Sequence, residues 1–75
     1  MPRPLYVIAN DIRNDWKKVN YAAKPYLDAL AVLDGPDDTY GADSAAYIIR
    51  YFLANAQSWR GEAARRIKLE LKSLV

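Results

Sequence analysis

Apolar residues recur every three or four positions over most of the chain, the spacing that places them on one face of an α-helix. Four such stretches are visible, and short segments rich in Pro, Gly, Asn and Asp separate them. Short connections favour antiparallel neighbours. The pattern therefore predicts an all-α fold, a compact bundle of about four short helices that forms a single helical domain over residues 1–75.

The first predicted helix begins at Pro4, because proline is accepted in a first turn whose N–H groups have no helical partner. We expect this helix to end near Asn20. Its inner face is formed by apolar residues at helical spacing: Leu5, Ile8, Ile12, Trp16 and Val19.

A second, shorter helix is predicted around Pro25, which fits only the first turn. Gly35 and Pro36 stop it, because glycine adopts a left-handed cap and proline cannot continue a helix. Residues 37–42 then form a polar loop that leads to Asp43, the expected N-cap of the third helix. The inner face of the second helix is formed by Tyr26, Leu27, Leu30 and Leu33.

The third helix, at about residues 44–56, is apolar around most of its circumference and is therefore expected to be central. Its apolar residues are Ala45, Ile48, Ile49, Phe52 and Ala56, widened by Tyr47, Tyr51 and Leu53. Ser58 is the expected cap of a fourth helix that runs to about Ser73, with Gly61 in its first turn. The inward residues of the fourth helix are Ala63, Ala64, Ile67, Leu71 and Leu74.

Composition excludes several classes of function. The chain contains no cysteine and no histidine, which removes disulfides, thiolate metal sites and histidine-based acid–base catalysis. Ser44 and Ser58 have no histidine to activate them, and the three glycines match no phosphate-binding spacing. We therefore predict that the protein is not an enzyme and binds no cofactor.

Four aspartates near the middle of the chain raise the question of a calcium site: Asp34, Asp37, Asp38 and Asp43. An EF-hand loop that started at the first of them would place Thr39 where glycine is required and Ala45 where a bidentate glutamate is required. Both essential positions fail. The sequence favours a solvated turn followed by a helix cap, with no metal.

The net charge of +2 conceals an uneven distribution, since residues 28–43 carry five Asp and no base between two basic segments. On the fourth helix Arg65, Lys68 and Lys72 recur at i, i+3 and i+7, with Arg60 upstream; these four residues are the basic stripe. Such a stripe is able to bind phosphates. It is equally the pattern of a solvated face that covers the edge of the core and complements the helix dipole.

A helix-turn-helix built from the third and fourth helices would use the basic stripe for DNA, but Trp59 and Glu62 fall where bases are read. Three aliphatic residues lie off the predicted inner faces: Val7, Val32 and Leu69. Together with six tyrosines they indicate a surface for protein binding or self-association. The alternative is that the tyrosines border the core with their hydroxyls in water.

Three segments carry a resemblance to a known class: Pro4-Leu5-Tyr6-Val7-Ile8-Ala9, Pro25-Tyr26-Leu27-Asp28-Ala29-Leu30 and Ser58-Trp59-Arg60-Gly61-Glu62-Ala63-Ala64-Arg65-Arg66-Ile67-Lys68. Over nearly its whole length the chain resembles small accessory proteins encoded by bacteriophages of actinobacteria. None of the three segments is a catalytic or ligand motif. The resemblance implies an intracellular product that binds a host or phage protein, or DNA, in a class that mostly lacks assigned activity.

No stretch reaches the ~18 apolar residues that cross a bilayer, and Asn10 and Asp11 interrupt the first apolar run too early for a signal peptide. We therefore expect a cytoplasmic protein with no membrane partner. The predicted function is a non-catalytic protein-interaction module, with a homodimer as one form. The alternative is a nucleic-acid-binding domain that uses the basic C-terminal helix. The candidate partner-binding residues are Val7, Val32, Leu69, Arg60, Arg65, Lys68 and Lys72.

Overall fold

The computed structural model describes residues 3–75, which form four α-helices and one two-stranded antiparallel sheet. The elements in chain order are α1 (Leu5–Asp15), α2 (Lys24–Leu30), β1 (Thr39–Tyr40), β2 (Asp43–Ser44), α3 (Ala45–Ala54) and α4 (Glu62–Lys72). The mostly helical fold is confirmed. The predicted polar loop between α2 and α3 contains the sheet, so the fold is not purely all-α.

Each helix runs antiparallel to the helices beside it. The first N–H of α1, from Leu5, donates to the carbonyl of Asp34, at 2.8 Å, in the loop after α2. At the other end, the Nδ2 of Asn20 donates to the carbonyl of Asn55, at 3.2 Å. α1 and α3 each pack against both α2 and α4. We call the end that holds residues 31–44 the aspartate end, and the end that holds residues 16–24 and 55–61 the lysine end.

A single apolar core runs through all four helices, and three aromatic rings close it at the lysine end. The rings of Trp16 and Trp59 stack with centroids 5.6 Å apart. Phe52 meets both edge-on, at 6.2 and 6.4 Å. Such pairs contribute about 0.5–1.5 kcal/mol each beyond the area that they bury. The buried indole Nε1 of Trp59 donates to a carboxylate oxygen of Asp15 at 2.8 Å, so its polar group is satisfied.

The prediction that α1 continues to Asn20 is wrong, because α1 ends at Asp15. The backbone of Trp16 leaves the helix, with φ −92° and ψ 88°, and its ring joins the aromatic cluster. The tertiary contact with Trp59 thus overrides the helical spacing of the sequence. Lys17 and Lys18 consequently lie in the connection to α2 rather than on a helix.

The N-cap of α3 is Ser44, and not Asp43 as predicted. The Oγ of Ser44 accepts the N–H of Tyr47 at 3.1 Å, while Asp43 pairs with Tyr40 in the sheet. A turn at Gly41, with φ 63°, joins the two strands. The sheet therefore places the serine hydroxyl, rather than the carboxylate, at the start of the helix.

α4 begins at Glu62, so the prediction that it starts after Ser58 with Gly61 inside its first turn is also wrong. Gly61 is the N-cap and has φ 114°, a conformation that only glycine adopts easily. The chain therefore changes direction between Trp59, which is buried in the core, and the helix. Within residues 3–75, no helix is long and apolar enough to span a bilayer.

The sequence predicts that α3 is central, but only one side of this helix is buried. Its inner residues are buried, but Tyr47, Arg50 and Tyr51 are exposed on its outer side. α3 is one member of a ring of four helices, and the other three do not surround it. This arrangement leaves a tyrosine-bearing face open to solvent.

Candidate partner-binding surfaces

Three tyrosines from two helices form one cluster, which we call the tyrosine surface: Tyr26, Tyr47 and Tyr51. The ring centroids of Tyr47 and Tyr51 lie 4.4 Å apart, and those of Tyr26 and Tyr51 lie 5.7 Å apart. Tyr47 is 42% and Tyr51 is 43% exposed, while Tyr26 packs against the core. The contacts hold the rings in place while much of their area remains open to solvent.

Polar groups border the tyrosine surface. Interaction with the hydroxyl of Tyr51 raises the pKa of Tyr47 above its usual value, and the carboxylate of Asp43 contributes in the same direction. Arg50 is exposed on α3, at the position before Tyr51. An aromatic centre with a charged border is the arrangement found at many protein interfaces.

The basic stripe occupies one side of α4, and three of its four members share a groove. Arg60, Arg65 and Lys68 line an open groove of about 310 Å³ beside Trp59. The Nζ of Lys68 donates to the carbonyl of Trp59 at 2.6 Å and lies 5.8 Å from the centroid of that ring. Burial, together with the positive charges of Lys72 and Arg60, lowers the pKa of Lys68. Lys72 lies outside the groove, in the last turn of α4.

The three aliphatic candidates do not form one patch. Val7 is half-buried and lines a shallow groove between α1 and α2 with Tyr6 and Ala31. Val32 is 69% exposed in the turn after α2. Leu69 is 61% exposed, but it lies on α4, which packs on the other side of α1. The nearest residues to Leu69 along its own face are Arg65, Arg66 and Lys72, which are basic.

The lysine end carries cations that sequence reasoning did not select. Lys17, Lys18 and Lys24 line a second open groove of about 310 Å³, between the end of α1 and the start of α2. Between them in the chain lies Tyr21, which is 88% exposed. No local signal reveals this grouping, because it depends on α1 ending at Asp15.

Of the aspartates between α2 and α3, Asp38 stabilises the loop through its side chain. Asp38 accepts the backbone N–H groups of Asp34, at 2.8 Å, and Gly35, at 3.3 Å, through one carboxylate oxygen. This contact is the turn predicted from the sequence. Over residues 3–75, no three acidic side chains converge on a point where they would hold a metal ion.

Arg3 joins the start of α1 to the end of α4. Its guanidinium donates to both carboxylate oxygens of Glu70, at 2.7 and 2.9 Å, and to Asp11. The hydrogen bonds from Arg3 lower the pKa of Glu70. The negative charge of Glu70 is therefore already paired and does not offset the basic stripe.

Comparison of the chain with protein-family models, with curated proteins and with solved structures gives no match.

Proposed function

We propose that this chain is a small non-catalytic protein-interaction module that binds a partner protein through the tyrosine surface. The observation that carries the proposal is the contact of three tyrosine rings, from α2 and α3, on an open face of the bundle. Tyrosine is enriched at protein interfaces, because its ring buries a large area while its hydroxyl stays hydrogen-bonded. The sequence resemblance suggests a host or phage protein as the partner.

The tyrosine surface supports this function better than the aliphatic residues do. Val32 and Leu69 are more exposed, but they lie apart, and isolated exposed aliphatic residues are ordinary on a protein surface. An interface needs a central cluster whose members exclude water from one another. Tyr26, Tyr47 and Tyr51 form such a cluster, because each ring contacts another.

Mutual packing of the rings also lowers the cost of binding. A side chain that becomes fixed only in the complex loses about 0.5–1.5 kcal/mol of conformational free energy. Tyr51 already contacts a ring on each side, at 4.4 and 5.7 Å, before any partner arrives. Much of this conformational freedom is therefore already lost during folding, which favours the use of this face in an interface.

The basic stripe suits the edge of an interface better than a DNA-reading surface. The ammonium group of Lys68 donates a hydrogen bond to the carbonyl of Trp59, so one of the four cations of the basic stripe already has a partner within the fold. Glu62 lies in the first turn of α4, where a recognition helix would approach the bases. Arg60 and Arg65 remain as exposed charges that steer an acidic partner.

Selective retention of a partner tests the proposal. The tagged chain is used to capture proteins from an actinobacterial lysate, in parallel with the Tyr47→Ala/Tyr51→Ala double variant and with Tyr40→Ala. Tyr40 is an equally exposed tyrosine on the hairpin, so its variant is the matched control. We expect a partner that the parent chain and Tyr40→Ala retain and the double variant loses.

Light scattering over a range of concentrations determines whether that partner is a second copy of the chain. Circular dichroism verifies that each variant is folded. Equal retention by the double variant would contradict the use of the tyrosine surface. A strict monomer that retains nothing would contradict the function.

A further inference from the structure

The connection between α1 and α2 presents an exposed aromatic ring on a fixed turn. Tyr21 is 88% exposed, the largest fraction among the large apolar and aromatic residues described. The side chain of Asn20 holds the turn from both sides: its Oδ1 accepts the N–H of Ala22 at 3.1 Å, and its Nδ2 donates to the carbonyl of Asn55. The ring is therefore in solvent although the backbone beneath it is anchored to the end of α3.

The connection that carries Tyr21 also carries Lys17 and Lys18, and it leads into α2 at Lys24. The salt bridges within residues 3–75 are Arg3 with Asp11, Arg3 with Glu70 and Arg13 with Asp28. None of them involves Lys17, Lys18 or Lys24. These three lysines line the groove between α1 and α2 together with Val19, Leu27 and the ion pair of Arg13 with Asp28. The one carboxylate of this groove is already paired with Arg13, so the charges of the three lysines remain available to an anionic ligand.

A second basic groove opens at the same end. The stack of Trp16 on Trp59 and the hydrogen bond from Asn20 to Asn55 bring residues 16–20 and 55–60 together. Arg60 therefore belongs to the same end of the molecule as the three lysines. The carboxylate of Asp15 at this end is bonded to the indole of Trp59, where it completes the core.

We infer that the lysine end binds single-stranded nucleic acid, with a base stacked on Tyr21 and the phosphates held by Lys17, Lys18, Lys24 and Arg60. An exposed aromatic ring among cations that track a backbone is the arrangement by which proteins bind single strands without sequence preference. A duplex keeps its bases stacked inside and would make no use of Tyr21. The site shares no residue with the tyrosine surface, so it can be tested independently of the proposed function.

Fluorescence anisotropy with a labelled oligonucleotide of twenty thymidines tests the stacking role. We expect binding at low salt. Tyr21→Ala should weaken it about 5- to 140-fold, because stacking on one base contributes roughly 1–3 kcal/mol and each 1.4 kcal/mol is tenfold. Tyr40→Ala, which removes an exposed tyrosine at the aspartate end, should bind like the parent chain. Equal binding by Tyr21→Ala and the parent would overturn the assignment.

The salt dependence tests the phosphate contacts. Each contact to a single strand contributes about 0.7 to the slope of log K against log salt, so Lys17→Gln/Lys18→Gln should lower the slope by about 1.4. Lys72→Gln removes a cation at the far end of α4 and should leave the slope unchanged. Binding of a twenty-base-pair duplex as tightly as the single strand, or equal competition by poly-glutamate, would show a general polyanion surface and refute the inference.

Discussion

At the aspartate end of the bundle two polar side chains bind backbone N–H groups, whereas at the lysine end three lysines take part in no salt bridge of the described residues. Asp38 binds two backbone N–H groups and Ser44 caps α3. Lys17, Lys18 and Lys24 have no salt bridge in the described part of the chain. Both ends contribute to the stability of the fold, but the difference favours the lysine end for an anionic ligand, as proposed above.

The largest effect that we expect on folding comes from the turn that opens α4 at the lysine end. Gly61 has φ 114° and ψ 179°, which is strained for any other residue. Gly61→Ala should therefore lower the free energy of unfolding by about 1–3 kcal/mol. Urea denaturation followed by circular dichroism measures the change.

Gly35 at the aspartate end provides the matched control. It has no positive φ, so the left-handed cap predicted there is wrong, and α2 ends at Leu30 instead. A Cβ added at Gly35 meets nothing within 4 Å. Gly35→Ala should leave the stability unchanged or raise it by less than about 1 kcal/mol. Equal losses in the free energy of unfolding from the two substitutions would contradict the backbone strain expected at Gly61.

The second largest loss of stability that we expect comes from the N-cap of α3 at the aspartate end. Ser44→Ala removes the acceptor for the N–H of Tyr47 and should cost about 1 kcal/mol of stability. Asp43→Ala tests the neighbouring residue, which the sequence pattern favoured as the cap and which lies in β2. A larger loss from Asp43→Ala than from Ser44→Ala would show that the carboxylate caps the helix instead.

The smallest effect is a pH dependence at the Arg3–Glu70 contact. The pKa of Glu70 is lowered in the folded state, so the stability that it contributes is present above its ordinary value of 4.5 and is lost as the pH falls through the lowered value. Glu70→Gln should cost up to about 1 kcal/mol at pH 7 and less at pH 3. Unfolding curves at both pH values measure it, and a cost that is the same at both would contradict the pairing.

Helical spacing predicted the faces of the helices well, because the apolar residues that it selected are largely those that form the core. It failed at the ends of α1 and α4, where Trp16 and Trp59 leave the helical path to stack on each other. No local sequence pattern predicts that contact, because Trp16 and Trp59 are far apart in the chain. The hairpin was missed because its strands are only two residues long.

The candidate surfaces were predictable to the extent that they are local. Tyr47 and Tyr51 are four residues apart, so their contact is expected on one helix, but the addition of Tyr26 requires the packing of α2 on α3. Arg65 and Lys68 likewise share a face by spacing alone. Lys17 and Lys18 fall within the first helix that the sequence predicts, whereas α1 ends before them. The sequence therefore does not reveal that they lie in the same connection as Tyr21.

An NMR titration of the ¹⁵N-labelled chain with the twenty-thymidine strand compares the two ends directly. We predict chemical-shift changes concentrated in the amides of residues 17–24 and at Arg60. The amides of residues 34–44, at the aspartate end, should stay unchanged. Changes spread equally over both ends, or none within residues 17–24, would contradict the assignment of the lysine end as the ligand-binding end.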